Sequence, residues 1–334
     1  MIRIFCLISF LMLTPELALC KDVPPSSYTA GISRMSVADE DGAFDTMIWY
    51  PTAGPETPWS AGPFTLAATR DADIASGQRF PIVLLSHGSG GSPMGHRELS
   101  ASLARRGFVV VSPVHVGDAS GHPRFKPQLK ILKARPRQAA AALNAILTDR
   151  RFAVHLDGDR VAVIGYSAGG YTALAISGAR PDLQLASTYC SGDGREDVGA
   201  CGPVRSGPPP ATTLPDIWPP PTVPQIKALV LMDPLSMLFD RSGLASVTMP
   251  ALLFRPRNDA YLRATGNALG LARNFPSVPE QIVVPGSHFV FIDPCPAELM
   301  QEAAAVCRDE DGVDRVKIHR DIESDIAAFL HQNL

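Results

Sequence analysis

Short, unbroken apolar runs punctuate this chain: "FPIVLLSHG" (80–88), "GFVVVSPVH" (107–115), "RVAVIGYS" (160–167), "KALVLMD" (227–233), "MPALLF" (249–254) and "EQIVVPG" (280–286). A strand with one wet face alternates apolar with polar residues. These runs do not, so each must be covered on both faces, as in a parallel sheet between layers of helices. Helix-like stretches lie between the runs. "HRELSASLARRG" sets Leu99 and Leu103 at helical spacing with Gly107 as the stop, and "PRQAAAALNAILTDR" carries Pro136 near its start. The chain closes with "DIESDIAAFLHQNL", amphipathic through Ile322, Ile326 and Leu330. The pattern predicts an α/β fold, a doubly wound three-layer sandwich with a mostly parallel central sheet. Ahead of it, "MSVADEDGAFDTMIWYP" reads as a hairpin joining the sheet at an antiparallel edge, with Asp41-Gly42 at the turn.

Residues 190–225, "CSGDGREDVGACGPVRSGPPPATTLPDIWPPPTVPQ", break the alternation and are too rich in Pro and Gly for a helix or a central strand. A loop of this length in a compact domain is functional or disordered; it reads either as a partial lid over the strand ends or as a passive surface excursion. No long linker or repeat divides the remainder, so residues 21–334 are expected to form one domain with this insertion. Residues 1–20 read as a signal peptide: Arg3, an apolar run from Ile4 to Leu13 too short to span a bilayer, then Ala18 and Cys20 at the signal-peptidase spacing. The expectation is a periplasmic or secreted protein without a transmembrane span. Lipid anchoring at Cys20 is the minor reading, because Leu19 is bulky where a small residue is usual.

Of the six cysteines, removal of the leader with Cys6 and Cys20 leaves Cys190, Cys201, Cys295 and Cys307. An even remainder in an exported chain suggests two disulfides, and nearest-neighbour pairing, Cys190–Cys201 and Cys295–Cys307, closes two short loops. No C-x-x-C is present, so zinc is not indicated. The net charge of −3, with basic and acidic residues interspersed, argues against a nucleic-acid partner.

Gly165-Tyr166-Ser167-Ala168-Gly169 falls where a β-branched run gives way to an alanine-rich one, which makes it G-x-S-x-G between strand and helix. Small neighbours let the backbone turn sharply and hold Ser167 clear of the sheet, above a helix N-terminus that favours developing negative charge. A serine hydroxyl needs a base to take its proton and an acid to orient that base. His288, in "VPGSHFVF", follows a strand and lies downstream of both acid candidates, which gives the chain order serine, acid, histidine; His319 and His331 belong to the terminal helix. Asp259 and Asp233 each tip one of two adjacent predicted strands. Asp259 is the first choice and Asp233 the alternative, which also suits a turn through Asp233-Pro234. The backbone N–H groups of Ser89, in the glycine-rich "SHGSGGS", and of Ala168 are the candidate donors to an oxyanion, worth on the order of 3 kcal/mol each. Neither a P-loop nor a dinucleotide fingerprint is present, so no cofactor is expected. His115, Asp118 and His122 lack the spacing of a zinc pair and read as loop residues at the pocket edge, and His87 as a residue serving backbone geometry.

Together with "IWYPT", "PIVLLSHGSGG", "LARRGFVVVSPVH", "ARPRQAAAALNAIL", "DRVAVIGYSAGGYTAL" and "GSHFVFIDPC", these residues make the chain resemble the α/β-hydrolases. Within them it is similar to the predicted dienelactone hydrolases that grade into bacterial relatives of platelet-activating factor acetylhydrolase. Dienelactone hydrolases proper use a cysteine nucleophile where this chain has Ser167, which argues against that lactone reaction. The acetylhydrolases take their acid from the strand that Asp233 ends, most of the superfamily from the position of Asp259. The resemblance implies an exported serine hydrolase of short-chain or lipid-derived carboxylic esters, acting through an acyl-enzyme on a small molecule or a lipid-surface substrate. The alternatives are an amidase or peptidase on the same fold, or a binding protein with a relic triad.

Overall fold

The computed structural model describes residues 28–205 and 219–334. The leader at 1–20 and the stretch 206–218 of the Pro/Gly-rich segment lie outside the described residues. The described residues open with the expected hairpin, β1 (Thr29–Val37) against β2 (Phe44–Thr52), antiparallel through Val37↔Phe44. Gly42 takes the positive φ of 108° that the turn needs and closes it with its N–H on the Asp39 carbonyl. Three short strands follow that the sequence pattern does not announce: β3 (Trp59–Ala61) pairs with β4 (Phe64–Leu66), and β5 (Thr69–Arg70) adds to β1 at the sheet edge.

Each of the six apolar runs is a strand: β6 (Phe80–Ser86), β7 (Val109–Pro113), β8 (Leu156–Tyr166), β9 (Ile226–Met232), β10 (Ala251–Pro256) and β11 (Glu280–Val284). The sheet has the order β11-β10-β9-β8-β6-β7-β2-β1-β5, with β6 to β11 mutually parallel and β2 antiparallel to β1 and β7. From β6 the chain steps to β7 on one side and, through β8, winds away on the other. That reversal opens a crevice at the carboxyl ends of β6 and β8, where a sheet of this kind binds ligands.

Helices cover both faces. On one, α1 (Arg97–Arg105) and the terminal α9 (Arg315–Asn333) pack Leu99, Leu103, Ile322, Ile326 and Leu330 against Val83, Val110 and Ala162. On the other, α2 (Gln128–Thr148), α3 (Ala168–Ile176) and α6 (Ala268–Asn274) pack Leu143, Ile146, Leu174 and Leu271 against Leu84, Val111 and Leu229. Removing one such fully buried leucine costs about 2–5 kcal/mol. Among the described residues no helix is long and apolar enough to cross a membrane.

The structure differs from the sequence reading in two helices. α2 starts eight residues before Pro136, so that proline lies inside it. A proline has no N–H for the carbonyl four residues back. Here that carbonyl, on Leu132, accepts instead from the Tyr171 hydroxyl of α3 at 2.9 Å, which repairs the gap and ties the two helices together. In the segment 190–225, α4 (Leu183–Ser191) ends and α5 (Val198–Arg205) forms, although its composition argued against a helix. The fully buried Asp197 explains this. One of its oxygens caps α5 by accepting from Ala200 N–H at 3.0 Å, and the other collects Tyr189 Oη at 2.8 Å and Asn267 Nδ2 at 3.0 Å. The Cys190–Cys201 disulfide staples α4 to α5, and Cys295–Cys307 joins the loop beyond His288 to α8 (Ala304–Cys307), which follows α7 (Leu299–Glu302).

Candidate active site

Between β8 and α3 the backbone turns at Ser167 with φ 53° and ψ −117°, a left-handed conformation that costs a non-glycine residue about 1–3 kcal/mol. The glycines around it are sterically required. A Cβ on Gly165 would collide with the Gly169 carbonyl, and one on Gly169 with the Ser86 carbonyl. The strained residue is clamped from both sides, its N–H on the Met232 carbonyl at 3.0 Å and its carbonyl taking the N–H of Leu235 at 2.9 Å. Ser167 is thereby held half-exposed at the crevice. α3 begins at Ala168, whose N–H has no acceptor within the helix.

His288 opens a 3₁₀ turn just past β11, and its Nε2 lies 3.0 Å from Ser167 Oγ. The ring is 1% exposed, sandwiched among Tyr166, Tyr261 and Phe289 with centroids 4.8–5.2 Å away. Its own carbonyl accepts from the Tyr166 hydroxyl at 3.1 Å, which fixes the loop to the residue preceding Ser167. Nδ1 faces both acid candidates, Asp233 Oδ2 at 2.5 Å and Asp259 Oδ2 at 3.2 Å. The first-choice acid of the sequence reading is thus the longer contact and the alternative the shorter. With Nδ1–H donating to a carboxylate, Nε2 is left free to accept the Ser167 proton.

Burial alone would drive the His288 imidazole down, but its bonds to Asp233 and Asp259 and their charges outweigh that and hold it at about 9. Burial pushes the fully enclosed Asp233 carboxyl well above the usual range, against the pull of His288, and the Asp259 charge adds to the rise. Burial would raise Asp259 as well, yet its contacts with His288 and Asp233 carry it below the usual value. Negative charge therefore settles on Asp259 before Asp233.

Ser89 and Ser167 line one cavity of about 130 Å³ with Gly88, Tyr261, Phe289 and Ile292. Gly88 has to be glycine, since a Cβ there would press on the Tyr166 ring and on Ser167 Cβ. The loop carrying Ser89 hangs on Asp118: Ser89 Oγ donates to Asp118 Oδ1 at 2.8 Å, and Gly90 N–H to the Asp118 carbonyl at 2.9 Å. Asp118 Oδ2 in turn takes the fully buried Arg135 at 2.7 Å, and Arg135 Nε reaches Thr172 of α3 at 3.0 Å. No motif in the sequence singles out Arg135, Tyr166 or Tyr261. Each is recognisable only through its neighbours in space.

His115, Asp118 and His122 do not converge on a metal. His115 is buried between Ser86 Oγ and Gln138, Asp118 serves the arginines, and His122 is exposed. His87 has the backbone role expected of it, bonding through Nδ1 to the Gly88 carbonyl at 2.7 Å and accepting the His115 N–H through Nε2 at 3.2 Å.

Residues 57–133 match the family model of platelet-activating factor acetylhydrolase, isoform II. The chain is 26% identical over 156 residues to platelet-activating factor acetylhydrolase of Bos taurus, covering 34% of this chain and 35% of that protein. It is 33% identical over 109 residues to cutinase est2 of Thermobifida alba, covering 32% and 33%. The chain spans between 5% and 38% of the length of the curated relatives it matches. In three dimensions it is similar to a ferulic acid esterase from Streptomyces cinnamoneus with a TM-score of 0.59 and 17% identity, over 93% of this chain and 92% of that one. The fold is thus that of the α/β-hydrolases, shared over most of both chains, and the likeness to the platelet-activating factor acetylhydrolases lies across the loop that faces Ser167.

Proposed function

We propose that this protein is a serine hydrolase that cleaves carboxylic esters through an acyl-enzyme, in an exported setting. The observation that carries the reading is the 3.0 Å approach of Ser167 Oγ to a His288 whose other nitrogen is bound to carboxylate. Ser167 Oγ attacks the ester carbonyl carbon as its proton passes to His288 Nε2, giving a tetrahedral oxyanion that the N–H groups of Ala168 and Ser89 receive. Collapse expels the alcohol, protonated from His288, and leaves the acyl group on Ser167. Water, deprotonated by the same imidazole, then attacks the acyl-enzyme, and the acid departs as Ser167 recovers its proton.

The relatives named as acetylhydrolase, cutinase and ferulic acid esterase favour an ester over an amide. A cavity of about 130 Å³ beside Ser167 suits a short acyl chain, and the wider depression of about 520 Å³ beyond Tyr261 and Phe289 suits the alcohol portion. The two disulfides accord with an oxidising compartment. The test is hydrolysis of nitrophenyl esters from acetate to palmitate, with fluorophosphonate labelling of wild type and Ser167→Ala. Fast turnover of acetate, slow turnover of palmitate and labelling confined to wild type are expected; labelling of both proteins alike, or of neither, overturns the reading.

A further inference from the structure

We propose that His288 is served by two acids: Asp233 and Asp259, arriving from the tips of adjacent strands, each suffice to hold Nδ1, so that the loss of either is covered by the other. The inference rests on the proposed roles of Ser167 and His288.

Three observations converge on it. Both carboxylates lie within bonding distance of the same ring nitrogen, at 2.5 Å and 3.2 Å, and both side chains are buried. The oxygens of Asp259 divide their work: Oδ1 accepts the N–H groups of Tyr261 and Leu262 at 2.7 Å and 2.9 Å, which forms the turn, while Oδ2 is left for the imidazole. A residue present only for the turn has no need of that second oxygen at the ring. Finally, Oδ1 of Asp233 is buried without a hydrogen-bond partner among the described residues. An orphaned carboxylate oxygen is costly, and a proton taken up by one of the two acids relieves the repulsion between like charges at one nitrogen.

The surroundings leave these two groups in control of the ring. Tyr166 from β8 and Tyr261 after β10 pack on His288 with hydroxyls that burial raises above the usual tyrosine value, so both stay neutral. His96, which packs on Tyr166, is kept neutral by burial at about 4. Arg124 bears on Tyr261 and Arg315 on Tyr166, and Glu310 bonds Asn258.

The experiment compares wild type with Asp233→Asn, Asp259→Asn and the double variant. Asparagine keeps the volume and, at Asp259, an oxygen for the turn; at Asp233, with φ 44°, it is one of the few residues at ease in left-handed backbone. Each single variant is expected to retain kcat/KM within about tenfold of wild type, and the double variant to fall by about 10⁴-fold, the loss seen where a lone orienting aspartate is removed. The acid limb of the pH–rate profile should move to lower pH in both single variants, because the imidazole then faces one carboxylate fewer. A turn-forming role for Asp259 would leave that limb in place. The downfield Nδ1 proton resonance of His288, which needs no turnover, should persist in both single variants and vanish in the double. Near-ultraviolet circular dichroism checks folding, and if the double variant does not fold, Asp233→Asn with Asp259→Ser replaces it. A single variant as impaired as the double, or an Asp259→Asn profile superimposed on wild type, overturns the inference. Absence of ester hydrolysis and labelling in wild type counts against the proposed function instead, and the resonance still decides between one acid and two.

Discussion

At the scale of single residues the reading turns on proton affinities. An imidazole held at about 9 accepts the Ser167 proton only when deprotonated, so kcat/KM should rise about tenfold per pH unit and level off near that value. The same raised affinity stabilises the fold below the ordinary histidine value of 6.5, and that stabilisation is lost as pH climbs through about 9. Turnover should therefore increase on the alkaline side while the Tm declines, and a thermal melt run beside each rate measurement checks both. Replacing Ser167 by alanine should lower kcat by about 10⁶-fold. It should leave the Tm equal to wild type or higher, since alanine gives up only a hydroxyl at a position whose strain lies in the backbone. That Ser167 and His288 meet was legible in the sequence, because motif, strand context and chain order all select them. The carboxylate at the ring was not. Two aspartates end neighbouring strands, and a linear pattern does not say that both side chains turn toward one nitrogen.

At the scale of elements, hydrogen bonds between helices carry much of the site. Asp118 lies between the Ser89 loop and the buried Arg135. Asp118→Asn should destabilise the fold by about 3–5 kcal/mol, because Arg135 is left a buried charge without its carboxylate. The variant should also lower kcat on esters more than it raises KM, as the Ser89 loop loses its anchor; urea melts and steady-state kinetics measure the two effects. Tyr171→Phe orphans the Leu132 carbonyl and should cost about 1–3 kcal/mol in the same melts, with little change in kcat. Most strands were legible because their apolar runs are buried on both faces; β11 reads the same in sequence but, as an edge strand, is exposed over most of its length. Helix boundaries were less so. Pro136 resembles a start signal, and only a hydroxyl supplied by another helix allows it in the interior. α5 escaped notice because its cap, Asp197, draws its strength from Tyr189 and Asn267, partners no local pattern contains.

Over the whole molecule the staples matter most. Cys190–Cys201 closes a loop with a sequence separation of 11, and loss of both cysteines should remove about 3 kcal/mol of stability. Gly199 of α5 gives its N–H to the Tyr261 carbonyl, and Tyr261 walls the cavity, so reductant should raise KM for short esters before it lowers kcat. Titrating dithiothreitol against both constants separates the two effects.

The two backbone bonds that clamp Ser167 come from Met232 and Leu235, on either side of Asp233 in the chain. Ser167 and Asp233 thus share a single footing, and neither shifts while the other stays. Such an arrangement leaves no half-working enzyme to be found on the way to denaturation: on heating, activity and tertiary structure should fade along one common curve, with no temperature at which the protein is intact yet idle.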